Sequence, residues 1–569
     1  MHAQPTIPTA PTETEQWKAS ACAAPNRSRL PLAALGFIGL LLATTLLPRV
    51  HQNPNLLYAF FGSAGALLIW AAALFATGLR SGRTYDLELV APLKSHYIQG
   101  GVQLCIYGYW GTYWTDVFTE IPLILSQLVF LYALEALIAW SRGRAWRLGC
   151  GPIPIILSTN VFLWFKDDWF AFQFAMIALA AFGKEFVRWE RDGRRSHIFN
   201  PSAFALAIVS VILIATGTTE YTWAGRIADT FSKPEHIYLQ VFLLGLIVQY
   251  FFSVTLMTLT AAATLALLSL IYKWHSGTYY FVFSNIPAPV FLGFHLLVTD
   301  PATSPRTNVG KTIFGFLYGC AVFVAYGILT QAGSLTVYDK LLPIPLLNLC
   351  VRWIDRIASV GWLERAAQKA SALTPRRWNL VHMTAWAALF LVMLGSGYVG
   401  AQHEGRTLEF WRKALAEGRP NAGKGLVEVL KAHTRADSTD AWNEMGGLYL
   451  RGELVPKDPT MAAKCFARAS KLGSLAGSAN LVTQFLAVEG AKPAKAVLFA
   501  LDHLETQCAK GADPVIYRLV GRAYEFGKGR AQDASKARAY YKAACKLGDK
   551  DGCADAARLR PASRPSDSK

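Results

Sequence analysis

Over roughly the first two thirds of this chain, apolar residues come in long runs, each broken by a short polar or basic loop. Crossing a ~30 Å hydrocarbon core takes about 20 residues of helix, and many of the runs approach that length. The pattern predicts helices over 30–47, 56–79, 96–117, 121–140, 153–165, 169–187, 198–215, 237–255, 256–272, 279–298, 312–330, 341–354 and 380–400. Two of these, 153–165 and 341–354, are short enough for half-helices or re-entrant elements. From 401 onward the runs stop, and Ala, Lys, Gly and Asp recur with helical spacing. The expected fold is all-α, a polytopic transmembrane bundle followed by a soluble α-solenoid. Its divisions are a cytoplasmic N-terminal segment (1–29), a transmembrane domain (30–356), a basic cytoplasmic linker (357–379), a last transmembrane helix (380–400) and a repeat domain (401–569) with a disordered tail from about 560.

Charge refines this picture. A net charge of +18 would suggest nucleic acid as the partner of a soluble protein, but the chain is 53% hydrophobic and its mean hydropathy is +0.27. Many Lys and Arg stand in the short loops, where they set orientation toward the cytoplasm. Arg80 and Arg83, then Arg142, Arg144 and Arg147, then Lys184, Arg188, Arg191, Arg194 and Arg195 fall on one side if every span crosses. Lys166, Asp167 and Asp168 fall on the other. The last helix then carries the C-terminal domain outward, into the periplasm of a Gram-negative cell. The first run, after Arg27 and Arg29, is long for a signal-peptide core, lacks a small-residue cleavage site and reads as an uncleaved inner-membrane helix.

Two C-terminal segments align at an offset of 75. Gly446, Tyr449, Gly452, Asp458, Ala462, Phe466, Ala469 and Gly473 match Gly521, Tyr524, Gly527, Asp533, Ala537, Tyr541, Ala544 and Gly548. A degenerate copy is expected between them, with Ala496 and Lys510-Gly511 as its traces. The pattern resembles Sel1-like repeats, relatives of the tetratricopeptide repeat whose stacked helix pairs hold a protein partner. Cys545 and Cys553 flank the turn KLGDKDG. The resemblance to secreted, cysteine-rich Sel1 proteins implies a disulfide there and an oxidising compartment; two buried thiols are the alternative. Cys465 and Cys508 read as packing residues, and Cys22, Cys105, Cys150, Cys320 and Cys350 show no C-x-x-C spacing for a metal or iron–sulfur site.

In the membrane half, segment 295–310 (HLLVTDPATSPRTNVG) runs from an apolar helix into a polar, double-proline loop and straight into the next helix. Unpaired polar groups at membrane depth are costly, so Thr299, Asp300, Thr303, Ser304, Arg306 and Thr307 must bond one another, water or a ligand. Asp300 and Arg306 can close the loop as an internal pair. Segment 197–203 (HIFNPSA) puts Asn200 and Pro201 at a helix start, where Asn caps and Pro is tolerated. The same N-terminus, with His197 beside it, can instead meet an anionic or carbonyl-rich ligand. Together with 346–355 (LLNLCVRWID), these motifs resemble the RnfD/NqrB family, polytopic subunits of the Rnf complex and the Na+-translocating NADH:quinone reductase.

That resemblance, over about residues 30–356, implies a flavin (FMN or riboflavin) within the bundle and partner subunits of a membrane redox complex. Its site would draw on His197, Asn200, Pro201, Ser202, His295, Thr299, Asp300, Pro301, Thr303, Ser304, Arg306 and Thr307. Members with covalent FMN attach it to the Thr of a Ser-Gly-Ala-Thr motif, which is absent between Phe199 and Thr299. The expected flavin is therefore non-covalent. His295 can orient the loop, contact flavin or ligate haem with a partner such as His96. The aromatic bands at 107–114 and 162–172 read first as interface anchors. No G-x-G-x-x-G after a strand, P-loop or H-E-x-x-H is found, which leaves nicotinamide binding, ATP hydrolysis and zinc-protease chemistry without support. The expectation is an inner-membrane electron-transport subunit with a periplasmic docking array, in contact with lipid and not with nucleic acid. The alternatives are a flavin-free transporter and a membrane-anchored scaffold.

Overall fold

The computed structural model describes residues 26–28, 31–81, 85–191, 193–231, 234–360, 374–490 and 492–559. Most of the N-terminal segment, much of the 357–379 linker and the tail from 560 lie outside them. The chain divides into two compact units, one formed by residues up to Ile271 with Ser284–Gln402, the other by Tyr272–Phe283 with residues from His403 onward.

The first unit is a bundle of helices. Among the described residues, five are long and apolar enough to cross a membrane by length and composition: Pro54–Gly78, Ile121–Ser141, Thr255–Ser276, Asn308–Gln331 and Arg376–Gly395. Leu32–Leu46, Pro201–Thr216 and Ile237–Phe252 are shorter apolar segments. Pro152–Asn160 and Ala288–Leu296 have nine residues each and are buried along their length. At 1.5 Å per residue such a helix reaches about 14 Å, half a bilayer core.

The expected span at 279–298 is the largest departure. Helix begins only at Ala288, because Pro287 and Pro289 cannot donate to a preceding turn and Ile286, before a proline, is pushed to extended backbone. The residues before it, Tyr272–Phe283, group with the second unit, and Val282 packs there beside Trp411, Leu426 and Leu430. The 237–255 and 256–272 spans are separated by Ser253, which takes a left-handed φ of 53°, and the second helix runs on to Ser276.

Small residues and amides tie the bundle. A Cβ on Gly315 would lie 2.3 Å from the Met257 carbonyl oxygen and one on Gly319 2.8 Å from that of Ala261. The Asn308–Gln331 helix thus lies backbone-close to Thr255–Ser276, as small-xxx-small spacing allows. Gln127, Asn160 and Gln173, all buried, form a triangle of side-chain hydrogen bonds from 2.8 to 3.2 Å. Two small sheets complete the unit. Tyr85–Leu89 pairs antiparallel with Asn26–Ser28 and parallel with Trp146–Leu148. Arg188–Arg191 and Arg194–His197 form a hairpin.

The second unit is a run of helices: Leu408–Ala416, Ala422–Arg435, Thr439–Arg451, Pro459–Lys471, Leu475–Ala487, Lys495–Ala509, Pro514–Phe526, Ala534–Lys546 and Lys550–Arg558. The middle pair, Leu475–Ala487 with Lys495–Ala509, occupies the stretch where the degenerate copy was expected.

Candidate functional site

The three motifs of the first unit meet. Asn200 caps the Pro201–Thr216 helix, its Oδ1 accepting from the Ala203 N–H at 3.2 Å, while Pro201 fills the first turn, where no N–H is needed. Its amide nitrogen donates to the Leu297 carbonyl at 3.1 Å, and its backbone N–H donates to Asn348 Oδ1 at 3.2 Å. Asn348 also donates to the Thr303 carbonyl at 3.4 Å. Segments about 50 and 100 residues apart in sequence are thus joined through one buried asparagine pair.

Arg191, at the end of the hairpin's first strand, is the second clasp. It donates to the Ser304 carbonyl at 3.0 Å and to Asp355 Oδ2 at 2.5 Å, with its side chain 6% exposed. Asp355 Oδ1 accepts from the backbone N–H of Arg306 at 3.0 Å. Asn348 and Asp355 are seven residues apart, two turns along Pro343–Ala358, which puts them on the same face. A buried charge is retained only when it is paired and hydrogen-bonded, and both conditions hold for Arg191.

The loop bonds itself. Thr299 Oγ donates to the His295 carbonyl at 2.8 Å, and Ser304 Oγ to the Asp300 carbonyl at 2.6 Å. Asp300 accepts from the Ala302 N–H at 3.0 Å and from the Thr303 hydroxyl at 3.3 Å. His197 Nε2 stands 3.4 Å from Asp300 Oδ2. Where the sequence suggested Arg306 as the partner of Asp300, His197 takes that place. Thr307 caps the next helix, accepting from the Gly310 N–H at 2.9 Å. Ser202, buried, donates to the Ile155 carbonyl at 3.2 Å. Pro301, Arg306 and Thr307 are exposed.

His295 is fully buried one turn before the loop, its Nδ1 bonded to the Phe291 carbonyl at 2.7 Å, and among the described residues its Nε2 meets no hydrogen-bond partner. Trp386 stacks 6.1 Å away with an equally unpartnered Nε1. His96 lies against Gly151 beside Lys184, within electrostatic range of Asp300 in the loop. Among the described residues no group of three metal-ligating side chains is found. Sequence reasoning missed Arg191, Asn348 and Asp355 as site residues. It also missed the sealed ion pair Asp339–Lys340, 3.1 Å apart and 2% exposed on each side chain.

The repeat array is built on local rules. Asp458 and Asp533 cap their helices, accepting from the N–H groups of Met461 and Lys536 at 2.9 Å each. A Cβ on Gly446 would meet the Phe466 ring at 2.5 Å, and one on Gly521 the Tyr541 ring at 2.6 Å, so each aromatic lies directly on helix backbone. The Tyr541 hydroxyl donates to Glu525 at 2.6 Å, and the Arg558 guanidinium, paired with the same carboxylate, holds it below its usual range. Cys545 and Cys553 are joined as a disulfide across the last turn, with Cα atoms 4.5 Å apart.

Comparison with known proteins bears on this half. Residues 440–474 and 517–549 match the Sel1 repeat family. Among solved structures, a Sel1 repeat protein from Oxalobacter formigenes is 23% identical, covers 23% of this chain and 95% of its own, and overlays with a TM-score of 0.19. The protective antigen c5321 of uropathogenic Escherichia coli strains, which displays an SLR fold, is 11% identical, covers 79% of this chain and 82% of its own, and has a TM-score of 0.22. The likeness of the array to Sel1 repeats rests on the family match and on its paired helices. No curated protein matches. The two matched stretches of the array are thus similar to Sel1 repeats.

Proposed function

We propose that this protein is a polytopic inner-membrane subunit of an electron-transport complex similar to RnfD/NqrB, whose Sel1-like array docks a protein partner on the periplasmic side. The observation that carries the membrane half of this reading is the convergence of its three motifs through Asn200–Asn348 and Arg191–Asp355. Membrane insertion is supported by large apolar side chains left outside the bundle, among them Tyr58, Ile69, Leu391 and Val392, each more than 60% exposed. The Cys545–Cys553 bridge supports an oxidising compartment for the array.

A non-covalent flavin fits the residues at limited points. Most hydroxyls of the loop are already spent on the loop itself. His197 and Asp300 at the edge, Arg306 and Thr307 on the outer rim, and the unpartnered His295 Nε2 beneath are the groups that would hold it. Bound there, a flavin supplies one- or two-electron transfer. The chain's own residues fix the loop, exclude water around His295 and present a guanidinium at the surface. The self-satisfied loop favours a second reading, a membrane-anchored Sel1 scaffold without cofactor.

The discriminating measurement is an absorption and fluorescence spectrum of the detergent-purified full-length protein, oxidised and then dithionite-reduced, followed by acid precipitation. A bleachable flavin band that leaves with the supernatant, and is lost in Asp300→Asn, is the expected result. A folded but colourless protein moves the function to the scaffold.

A further inference from the structure

The turn that ends the Ile237–Phe252 helix gathers cations from three other helices. Lys94, at the start of Lys94–Tyr113, holds its ammonium 4.6 Å from the centre of the Phe251 ring. Arg376, in the first turn of Pro375–Gly395, lies 5.2 Å over the Tyr250 ring and donates to that residue's hydroxyl. The Lys311 ammonium, from Asn308–Gln331, donates to the Ser253 carbonyl at 2.8 Å. The Tyr250 and Phe251 rings meet edge to face 5.2 Å apart, so Lys94 and Arg376 stand on adjoining rings.

The protein does not cancel this charge. A helix C-terminus carries only about half a negative charge, and aromatic faces attract cations without neutralising them. Among the described residues none of the three cations meets a carboxylate. Other cations of the bundle do: Arg142, Arg144 and Arg188 share Glu185, and Arg147 takes Glu88. An apolar stripe leads away from the charged end. Leu243, Ile247 and Phe251, four residues apart along one face of their helix, are 54, 43 and 42% exposed. The Gln240 amide donates to the Cys105 carbonyl at 3.2 Å, which lays Lys94–Tyr113 antiparallel beside the stripe with Lys94 at its head. Outward apolar residues alone are what any bilayer-facing helix presents. Uncompensated cations at the head of such a stripe select an amphiphile whose polar end is anionic, and basic pockets between helices at a membrane edge take phosphate headgroups.

We propose that the helix end at 250–253 binds an anionic phospholipid, with its phosphate at Lys94, Lys311 and Arg376 and an acyl chain along Leu243, Ile247 and Phe251. This site rests on the membrane insertion read above and is independent of flavin.

The test is native mass spectrometry of the full-length protein in a maltoside detergent with equimolar phosphatidylglycerol and phosphatidylcholine of the same acyl chains. At least tenfold preferential retention of one phosphatidylglycerol is expected. The preference should fall at least fivefold when Lys94→Gln and Arg376→Gln are combined, and stay unchanged in Arg142→Gln, whose cation is already paired. Lys94 is exposed, so Lys94→Gln alone, with at least a twofold fall, carries the test if the double variant unfolds. Equal retention of the two lipids, a preference indifferent to the Lys94 and Arg376 variants, or an equal loss in the Arg142 variant overturns the proposal. Displacement of the lipid by millimolar inorganic phosphate assigns the site to a free anion and overturns it too. Flotation with phosphatidylcholine vesicles in a density gradient separates the failures: a protein that floats without lipid preference loses this site alone, and one that does not float loses the membrane reading with it.

Discussion

The turn after Pro459–Lys471 and the turn after Ala534–Lys546 are the same piece of backbone closed by different chemistry. At the offset of 75, Ser470 and Ser478 correspond to Cys545 and Cys553. The serines share a 2.8 Å hydrogen bond between hydroxyls, with His503 Nδ1 2.9 Å from Ser478, where the cysteines share a covalent bond. The glycines in the two turns take nearly equal left-handed φ values, 91° at Gly473 and 92° at Gly548, and Gly511 in the middle repeat follows at 89°. There Cys508 stands where Cys545 stands in the last repeat, with the buried side chain of Ile516 on the neighbouring helix. Its thiol, pushed up to about 11 by burial and by nearby Glu505, is a packing group. Backbone geometry is held constant through the array while closure varies, so the closure contributes stability without setting the fold.

The covalent closure carries the largest effect. Replacing both Cys545 and Cys553 with Ser gives the last turn the chemistry of the first. Chain-entropy reasoning for so short a loop predicts a loss of roughly 2–3 kcal/mol, read as faster amide exchange confined to 534–558. An unchanged exchange pattern would show that the bridge contributes nothing to stability. The reverse change, Ser470→Cys with Ser478→Cys, should form a bridge by mass analysis and gain about 1–2 kcal/mol, less than the first effect because His503 loses a hydroxyl partner. The smallest effect lies at the caps. Asp533→Ala should cost about 1 kcal/mol, and Ala494→Asp, at the cap position that lacks a side-chain bond in the middle repeat, should recover a similar amount.

These correspondences explain what the sequence revealed of the array and what it concealed. The outer repeats stand out because a glycine faces an aromatic ring in each. In the middle repeat the equivalent positions hold Val482 and Leu504, both fully buried in one core. A larger residue on one helix and a smaller one on the other fill similar space while erasing the pattern. The helical bundle of the first unit followed different physics. Runs of apolar residues marked most helices, and Asn200 was legible as a cap from its neighbours alone, whereas Thr307 read only as a loop hydroxyl and proved to cap the next helix. Arg191 and Asp355 were not, because 164 residues separate the two ends of their ion pair and nothing local distinguishes either from the other loop charges. The two-turn spacing of Asn348 and Asp355 was the one available signal. The expected span at 279–298 failed for a local reason: hydropathy does not register that Pro287, at the cap position, breaks helix before it.

The disulfide at the far end of the array also has a mechanical consequence. A solenoid under tension peels by releasing contour length, and each residue freed adds up to about 3.5 Å. With Cys545 fastened to Cys553, the segment between them is withheld from that release, shortening the extensible length by roughly 20 Å. A partner pulling on the array would draw slack from the hydrogen-bonded repeats before the fastened end yields, until a reductant unlocks it.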